Sequence, residues 1–232
     1  MTAAPPAPAG QRAGAGRALV LLECLLLLTT APGAVGLVLL GRAPAVALVA
    51  LCLVPAGPAL AAALFAWRRL GTEASDGVVA DFRRGYRVSW FDGLRVWIPV
   101  LAVLASFGTM LERLDSQAIR APGAVAVACV VLGAIVWVWG AHLLAVAAVF
   151  SFRTLDSARI AAFMVLGQPR ASLAVLVLGA GVVAAAWAAG PWVLVPLASV
   201  VSLLLWLAER GLLVDVQRRF VDREPDPDGE DA

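Results

Sequence analysis

The chain has little charge for its length. Charged residues make up 15% of the 232 positions and hydrophobic residues 62%, whereas ordinary soluble domains carry ~25% charged residues. Its charge-bearing stretches run to only about 20 to 30 residues, which is too short for a soluble domain of their own. This composition excludes a separate soluble domain and predicts a single membrane domain.

The chain also lacks the residues from which common catalytic and metal sites are built. His142 is its only histidine, which excludes a histidine-rich metal site. Three cysteines lie in apolar segments without metal-ligand spacing and are expected to be free: Cys24, Cys52 and Cys129. No P-loop, nucleophile elbow, H-E-x-x-H or C-x-x-C motif occurs. We therefore expect no catalytic residue, no metal, no cofactor, no enzymatic activity and no nucleic-acid partner.

One stretch formally matches a dinucleotide-binding fingerprint. Residues 179–184 read G-A-G-V-V-A, which fits G-x-G-x-x-A. No strand precedes the stretch and no acidic residue follows it before Glu209, although the fingerprint requires both. We interpret the small residues as a surface on which two helices approach closely.

In place of charged residues and catalytic motifs, the chain contains long uncharged runs. Residues 171–208 form 38 consecutive positions without a charge, interrupted only by Gly190-Pro191. A helix rises ~1.5 Å per residue and a bilayer core is ~30 Å thick, so this run predicts two antiparallel spans rather than one. The same argument predicts an all-α polytopic membrane bundle with about six transmembrane helices, at 18–40, 44–67, 94–111, 121–150, 171–189 and 191–208.

The ends of this domain are expected to differ from it. Residues 1–17 are predicted to be a disordered N-terminal arm, residues 18–222 a single membrane domain, and the acidic residues 223–232 a disordered tail. The first apolar segment loosely resembles a signal peptide. If it is cleaved or re-entrant, five spans remain.

The basic residues predict an orientation. All 18 are arginine, and in the six-span threading fifteen fall on one side. The three on the other side are Arg42, Arg113 and Arg120. Because cytoplasmic loops carry the excess of basic residues, the N-terminus and the C-terminus are both predicted to be cytoplasmic.

The most patterned polar segment is predicted to be a cytoplasmic amphipathic helix at about 77–92. Its aromatic residues recur at helical spacing with arginines on the flanks, which suits a helix lying in the membrane interface, and this is the interpretation we favour. The alternative is a docking helix for a cytoplasmic partner. The candidate lipid or partner contacts are Phe82, Arg83, Arg84, Tyr86 and Arg87.

Two further features lie inside apolar segments. Glu23 and His142 are an intramembrane ionisable pair in principle. We favour separate roles, with Glu23 reaching the interface and His142 bonded to a neighbouring helix. Pro55, Gly57 and Pro58 must break the second span. Such breaks line substrate sites in some transporters.

Three blocks resemble the YesL-like family of integral membrane proteins, a bacterial family defined by a domain of unknown function. They are residues 53–69 with the proline-glycine break, residues 81–87 (DFRRGYR), and residues 150–156 followed by Pro169-Arg170. Residues 212–220 are similar to the family's basic C-terminal end. The resemblance implies a multi-pass protein of the bacterial cell membrane. It also implies an accessory or regulatory role in carbohydrate uptake, with the permease of a sugar ABC transporter as partner. The alternative is a small transporter or permease that acts on its own.

Overall fold

The computed structural model describes residues 9–39, 45–70, 72, 75–114, 122–150, 153–189 and 197–217. Within these ranges the chain forms eight helices and no strand: α1 Ala9–Leu39, α2 Val46–Cys52, α3 Ala56–Arg69, α4 Val78–Leu114, α5 Pro122–Val149, α6 Thr154–Gly167, α7 Pro169–Ala189 and α8 Ala198–Val216. The all-α prediction is confirmed. Helix α1 begins inside the predicted disordered arm, because no proline interrupts the chain between Ala9 and Pro32. The acidic tail and the turn at Gly190-Pro191 lie outside the described residues.

Fewer helices qualify as membrane spans than the sequence predicted. Three are long and apolar enough by themselves: Gly16–Leu37, Val78–Leu114 and Gly123–Val149. Two bent pairs qualify if each is taken as one span, Val46–Cys52 with Ala56–Arg69 at 44° and Thr154–Gly167 with Pro169–Ala185 at 96°. The described residues thus contain three to five candidate spans. This is fewer than the six that the sequence predicted, and the coarser prediction of a multi-pass membrane architecture stands.

Several arginines lie at one end of the bundle, and we call it the arginine-rich end. Helix α3 ends there at Arg69, and Arg69 Nε lies 2.8 Å from Asp81 Oδ1 near the start of α4. Arg68 Nη1 donates a hydrogen bond of 3.1 Å to the Val149 carbonyl, so α5 also ends there. These contacts place the C-terminal ends of α3 and α5 and the N-terminal end of α4 on the same side.

Helix α8 replaces the predicted sixth span and runs differently. Near its beginning, Ser202 Oγ accepts a hydrogen bond of 3.0 Å from Trp67 Nε1, two residues before the end of α3. Near its other end, Asp215 Oδ2 accepts one of 3.2 Å from Gln168 Nε2, at the junction of α6 and α7. The first contact lies at the arginine-rich end and the second beside Arg170, so α8 runs across this end of the bundle. The hydropathy of 191–208 predicted a span because it ignores these contacts.

The predicted amphipathic helix and the third span are one helix. Helix α4 has 37 residues from Val78 to Leu114, which is about 55 Å of helix. A helix lying flat in the interface would need a sharp bend before the span, and α4 is not divided there. Gly93 does not act as a breaker because it packs against α3, where a Cβ would lie 3.2 Å from Pro58 Cα. The sequence therefore predicted two elements where the structure has one continuous helix.

Alanine-rich α3 forms the centre of the bundle. Helices α1, α4, α5 and α8 all pack on it, and the alanines that they cover are fully or almost fully buried: Ala59, Ala61, Ala62, Ala63 and Ala66. Small side chains let helix backbones approach closely, which is the usual source of helix association in a membrane. The second span is broken as predicted, since α2 ends at Cys52 and α3 begins at Ala56.

Candidate functional site

A histidine and a glutamate meet inside the bundle. His142 projects from α5 and Glu209 from α8, and both side chains are 0% exposed. His142 Nδ1 lies 2.7 Å from Glu209 Oε1, a distance typical of a strong, charge-assisted or proton-sharing hydrogen bond. The buried hydrophobic cluster formed by the same two helices includes Leu144, Leu205 and Leu212. Two ionisable groups thus share one contact in apolar surroundings.

The second ring nitrogen of His142 binds α7. His142 Nε2 lies 3.0 Å from Ser172 Oγ, and Ser172 Oγ donates a hydrogen bond of 2.8 Å to the Val165 carbonyl in α6. The histidine therefore links α5 to α8 on one side and, through the serine, to α6 and α7 on the other. Four helices converge on one imidazole.

The Glu23–His142 pair considered from the sequence does not form, because both ring nitrogens of His142 contact other residues. The Glu23 carboxylate instead accepts a hydrogen bond of 2.8 Å from the Ser199 N–H in the first turn of α8. The first backbone N–H groups of a helix lack intrahelical partners and carry partial positive charge. Glu23 therefore stabilises the N-terminal end of α8. The favoured expectation that His142 bonds to a neighbouring helix is confirmed.

Glu209 was missed from the sequence because it was read as the charged boundary after the last span. Helix α8 continues beyond it, and Leu212 and Val216 are buried further along. The sequence nevertheless contains a signal that Glu209 is buried. Ser202, Leu205, Glu209, Leu212 and Val216 follow one another at spacings of three or four residues, which puts Glu209 on the apolar face of a helix.

The surroundings of Glu209 favour its neutral form. Glu209 Oε2 is buried and has no hydrogen-bond partner among the described residues. Burial raises the pKa of the Glu209 carboxyl, while the hydrogen bond and charge of His142 act in the opposite direction. A buried oxygen without a partner costs less on a neutral acid than on a carboxylate.

The structure separates the candidate lipid or partner contacts on α4 into buried and exposed residues. Phe82 is 2% exposed and packs in a cluster with Leu22 and Trp67, so its assignment as a lipid or partner contact is wrong. Tyr86 is half-buried and its ring lies 6.0 Å from that of Phe82. Helical spacing explains this, because both side chains are on the face of α4 that packs against α3 and α1. The exposed candidates are Arg83, Arg84 and Arg87.

Asp81 is a second buried charge that the sequence did not single out as a site. Its side chain is 1% exposed. Oδ2 accepts a hydrogen bond of 2.6 Å from Ser75 Oγ. Oδ1 contacts Arg69 Nε, although the N–H is not aligned for a hydrogen bond, so the attraction there is between the charges. Asp81 thereby joins the end of α3 to the start of α4.

The helix break at Pro55, Gly57 and Pro58 is closed by a tryptophan. Trp97 Nε1 donates a hydrogen bond of 3.0 Å to the Leu53 carbonyl, which also accepts one of 3.1 Å from the Ala56 N–H. The Trp97 ring also covers Gly57, where a Cβ would lie 2.5 Å from Trp97 Cγ. This carbonyl is therefore used within the protein rather than presented to a substrate.

The glycines of the fingerprint-like stretch behave differently from each other. A Cβ on Gly179 would collide with the Trp137 ring of α5, so this position does serve close helix packing. A Cβ on Gly181 would meet nothing within 4 Å among the residues that the structure describes, so those residues give the close-packing interpretation no support there.

Within the described ranges, no three His, Cys, Asp or Glu side chains are grouped so as to hold a metal ion. Comparison with known proteins adds no assignment: no family model, no curated protein and no solved structure matches this chain.

Proposed function

We propose that this protein is an accessory, non-enzymatic component of carbohydrate uptake in a bacterial cell membrane, which docks onto the permease of a sugar ABC transporter. The observation that supports docking is the outward surface of α4. Arg84, Arg87, Phe91 and Arg95 are all exposed there, with Phe91 70% exposed. We call these four residues the α4 arginine face. The role in carbohydrate uptake rests on the resemblance of residues 81–87 and the other blocks to the YesL-like family.

The length of α4 favours a protein partner for this face over lipid. At a tilt of about 40°, the largest common in membranes, a helix crosses a ~30 Å core in about 39 Å. Roughly 16 Å of the 37-residue α4 therefore extends beyond the core. The arginines predict this extension at the N-terminal end. Arg84 and Arg87 would then stand beyond the core, near or past the head groups, while Phe91 and Arg95 would lie at or inside its boundary. A complementary partner would present acidic side chains.

The docking proposal is tested by charge reversal in the full-length protein. We expect the double variant Arg84→Glu, Arg87→Glu to lose capture of the permease in cross-linking and affinity purification from membranes, because two attractive contacts become repulsive. Arg159→Glu is the matched control, since Arg159 is an exposed arginine on α6. Undiminished capture by the double variant would remove the docking role. Loss of binding to anionic lipid alone, with capture intact, would assign the face to head groups.

A second candidate is a transporter that acts on its own. The observation in its favour is the 44° bend between α2 and α3, since broken helices border substrate sites in some transporters. Solute flux into proteoliposomes that contain only this protein separates the two candidates. Sugar flux without the permease would favour the transporter, and its absence there together with permease capture would favour the accessory role.

A further inference from the structure

The hydrogen bonds around His142 determine where its protons are. Ser172 has a single hydroxyl proton, and it is donated to the Val165 carbonyl. The contact between Ser172 Oγ and His142 Nε2 must then be donated by an Nε2–H group. With Nε2 protonated, Nδ1 of a neutral imidazole is an acceptor.

The Glu209 contact therefore contains one further proton. Two acceptors cannot approach to 2.7 Å without a proton between them. Either the neutral acid donates from Oε1 to Nδ1, or the imidazolium donates from Nδ1 to the carboxylate. Both forms have no net charge. The unpartnered Oε2 favours the neutral acid, in which Oε2 is the carbonyl oxygen.

Without that proton, the contact between Glu209 Oε1 and His142 Nδ1 would be unfavourable. A carboxylate oxygen and a nitrogen lone pair would face each other in a site that is 0% exposed, and a buried unpaired negative charge is strongly destabilising. His142 cannot supply a second donor, because its Nε2–H already binds Ser172. Separation of α8 from α5, with hydration of Glu209, relieves both problems.

Among the described residues, no other charged side chain is positioned to replace His142 as the partner of Glu209. Helices α1, α3, α5 and α7 pack against α8. His142 is the titratable group that α5 presents to Glu209, α7 presents the uncharged Ser172, and α3 contacts α8 through the indole of Trp67. The remaining charged groups have other surroundings: Glu23 is at the Ser199 N–H, Asp215 is bonded to Gln168, and Arg170 and Arg210 are exposed.

We propose that His142 and Glu209 form a proton-binding site in which the neutral Glu209 carboxyl donates its proton from Oε1 to His142 Nδ1 and thereby fastens the C-terminal half of α8 to α5 and α7. Loss of the proton at alkaline pH detaches this half of α8, and uptake of a proton restores it. The site does not depend on the permease or on the α4 arginine face, so the two proposals are tested separately.

The bound proton is tested by infrared difference spectroscopy on the native chain in lipid nanodiscs. We expect a carbonyl absorption of a protonated carboxylic acid at neutral pH that disappears on alkalinisation and shifts in D₂O. The variant Glu209→Gln should lack this titrating absorption. The control Glu23→Gln should keep it, because Glu23 binds the Ser199 N–H and not His142. A titrating absorption that persists in Glu209→Gln, or one that is absent from the native chain, would overturn the proposal.

The detachment of α8 is tested by thiol labelling after the native cysteines are replaced by alanine. Val216→Cys reports a position that is 0% exposed, and Val214→Cys reports one that is 52% exposed on the same helix. The ratio of their labelling rates cancels the direct effect of pH on the thiol. We expect the ratio to rise at least about tenfold between neutral and alkaline pH, as the detached state changes from minor to dominant.

The variant Glu209→Gln supplies the decisive comparison. Its side-chain amide donates to His142 Nδ1 at every pH, so we expect the ratio to stay low throughout. A flat ratio with Glu209 in place, or an equal rise in Glu209→Gln, would show that α8 does not respond to this proton.

Discussion

At the scale of single residues, each buried or partly buried acid is accommodated in a different way. Asp81 is charged and faces Arg69, Glu23 lies at the N-terminal end of α8, and Glu209 shares a proton with His142. An isolated carboxylate in apolar surroundings is too costly to persist, so it must find a cation, a helix end or a proton. The three acids illustrate all three solutions within one small bundle.

The Asp81 contact gives a prediction for stability. We expect Asp81→Asn to lower the free energy of unfolding by about 3 kcal/mol, because it leaves Arg69 without its nearest countercharge at a site that is 1% exposed on the acid's side. A second carboxylate oxygen, Asp76 Oδ2, lies 3.9 Å from Arg69. Because it remains in the variant, we expect a loss of stability at the lower end of the range for broken buried ion pairs. The measurement is reversible unfolding of the full chain in detergent.

Asp92→Asn is the matched control on the same helix. Its side chain is 55% exposed and contacts Arg95 at 3.8 Å, and surface pairs of this kind contribute no more than ~1 kcal/mol. Equal losses in the two variants would contradict a special role for the buried acid.

At the scale of helices, close packing depends on where a glycine faces a neighbour. Gly140 and Gly133 lie seven residues apart on α5 and so face the same side. A Cβ on Gly140 would lie 2.7 Å from Val100 Cγ1 of α4, whereas one on Gly133 would have its nearest neighbour at 3.9 Å, Phe107 Cδ2. The two helices are therefore in close contact at Gly140 and further apart at Gly133.

Alanine at these two glycines should act in opposite directions. We expect Gly140→Ala to destabilise by about 1–3 kcal/mol through overpacking against Val100, which does not yield easily because its side chain is branched at Cβ. Gly133→Ala should be neutral or stabilise by up to about 1 kcal/mol, since alanine is the better helix former. The thermal stability of both variants, measured by unfolding, tests this prediction. Stabilisation by Gly140→Ala would show that α4 and α5 are not in close contact there.

At the scale of the whole molecule, the polar contacts fix the position of α8. Glu23 and Trp67 hold its N-terminal half, from the middle of α1 and the end of α3, and His142 and Gln168 hold its C-terminal half, from about two turns before the end of α5 and from the end of α6. Trp67, His142 and Gln168 lie toward the arginine-rich end. The helix therefore covers this end of the bundle, and its proton-binding residue lies close to the side that the arginines predict to be cytoplasmic.

Orientation and the position of α8 can be measured together. We expect Thr72→Cys to react with an impermeant thiol reagent only after cells are permeabilised, and Ser116→Cys to react from outside, because the arginines flank the first position. Spin labels at Leu197→Cys should lie closer to a label at position 72 than to one at Leu114, the end of α4. Reversed labelling would contradict the arginine argument, and a shorter distance from 197 to 114 would restore α8 as a span.

The sequence by itself determined the helical fold, the membrane as the environment, the break at Pro55–Pro58 and the separation of the arginines. These are properties of composition, hydropathy and local backbone chemistry, which each segment carries with it. Only the tertiary structure decided that α8 lies across one end and that His142 pairs with Glu209 rather than Glu23. The two partners are 67 positions apart in the chain. Hydropathy shows that a buried acid needs a partner, but which helices pack together decides which partner it finds.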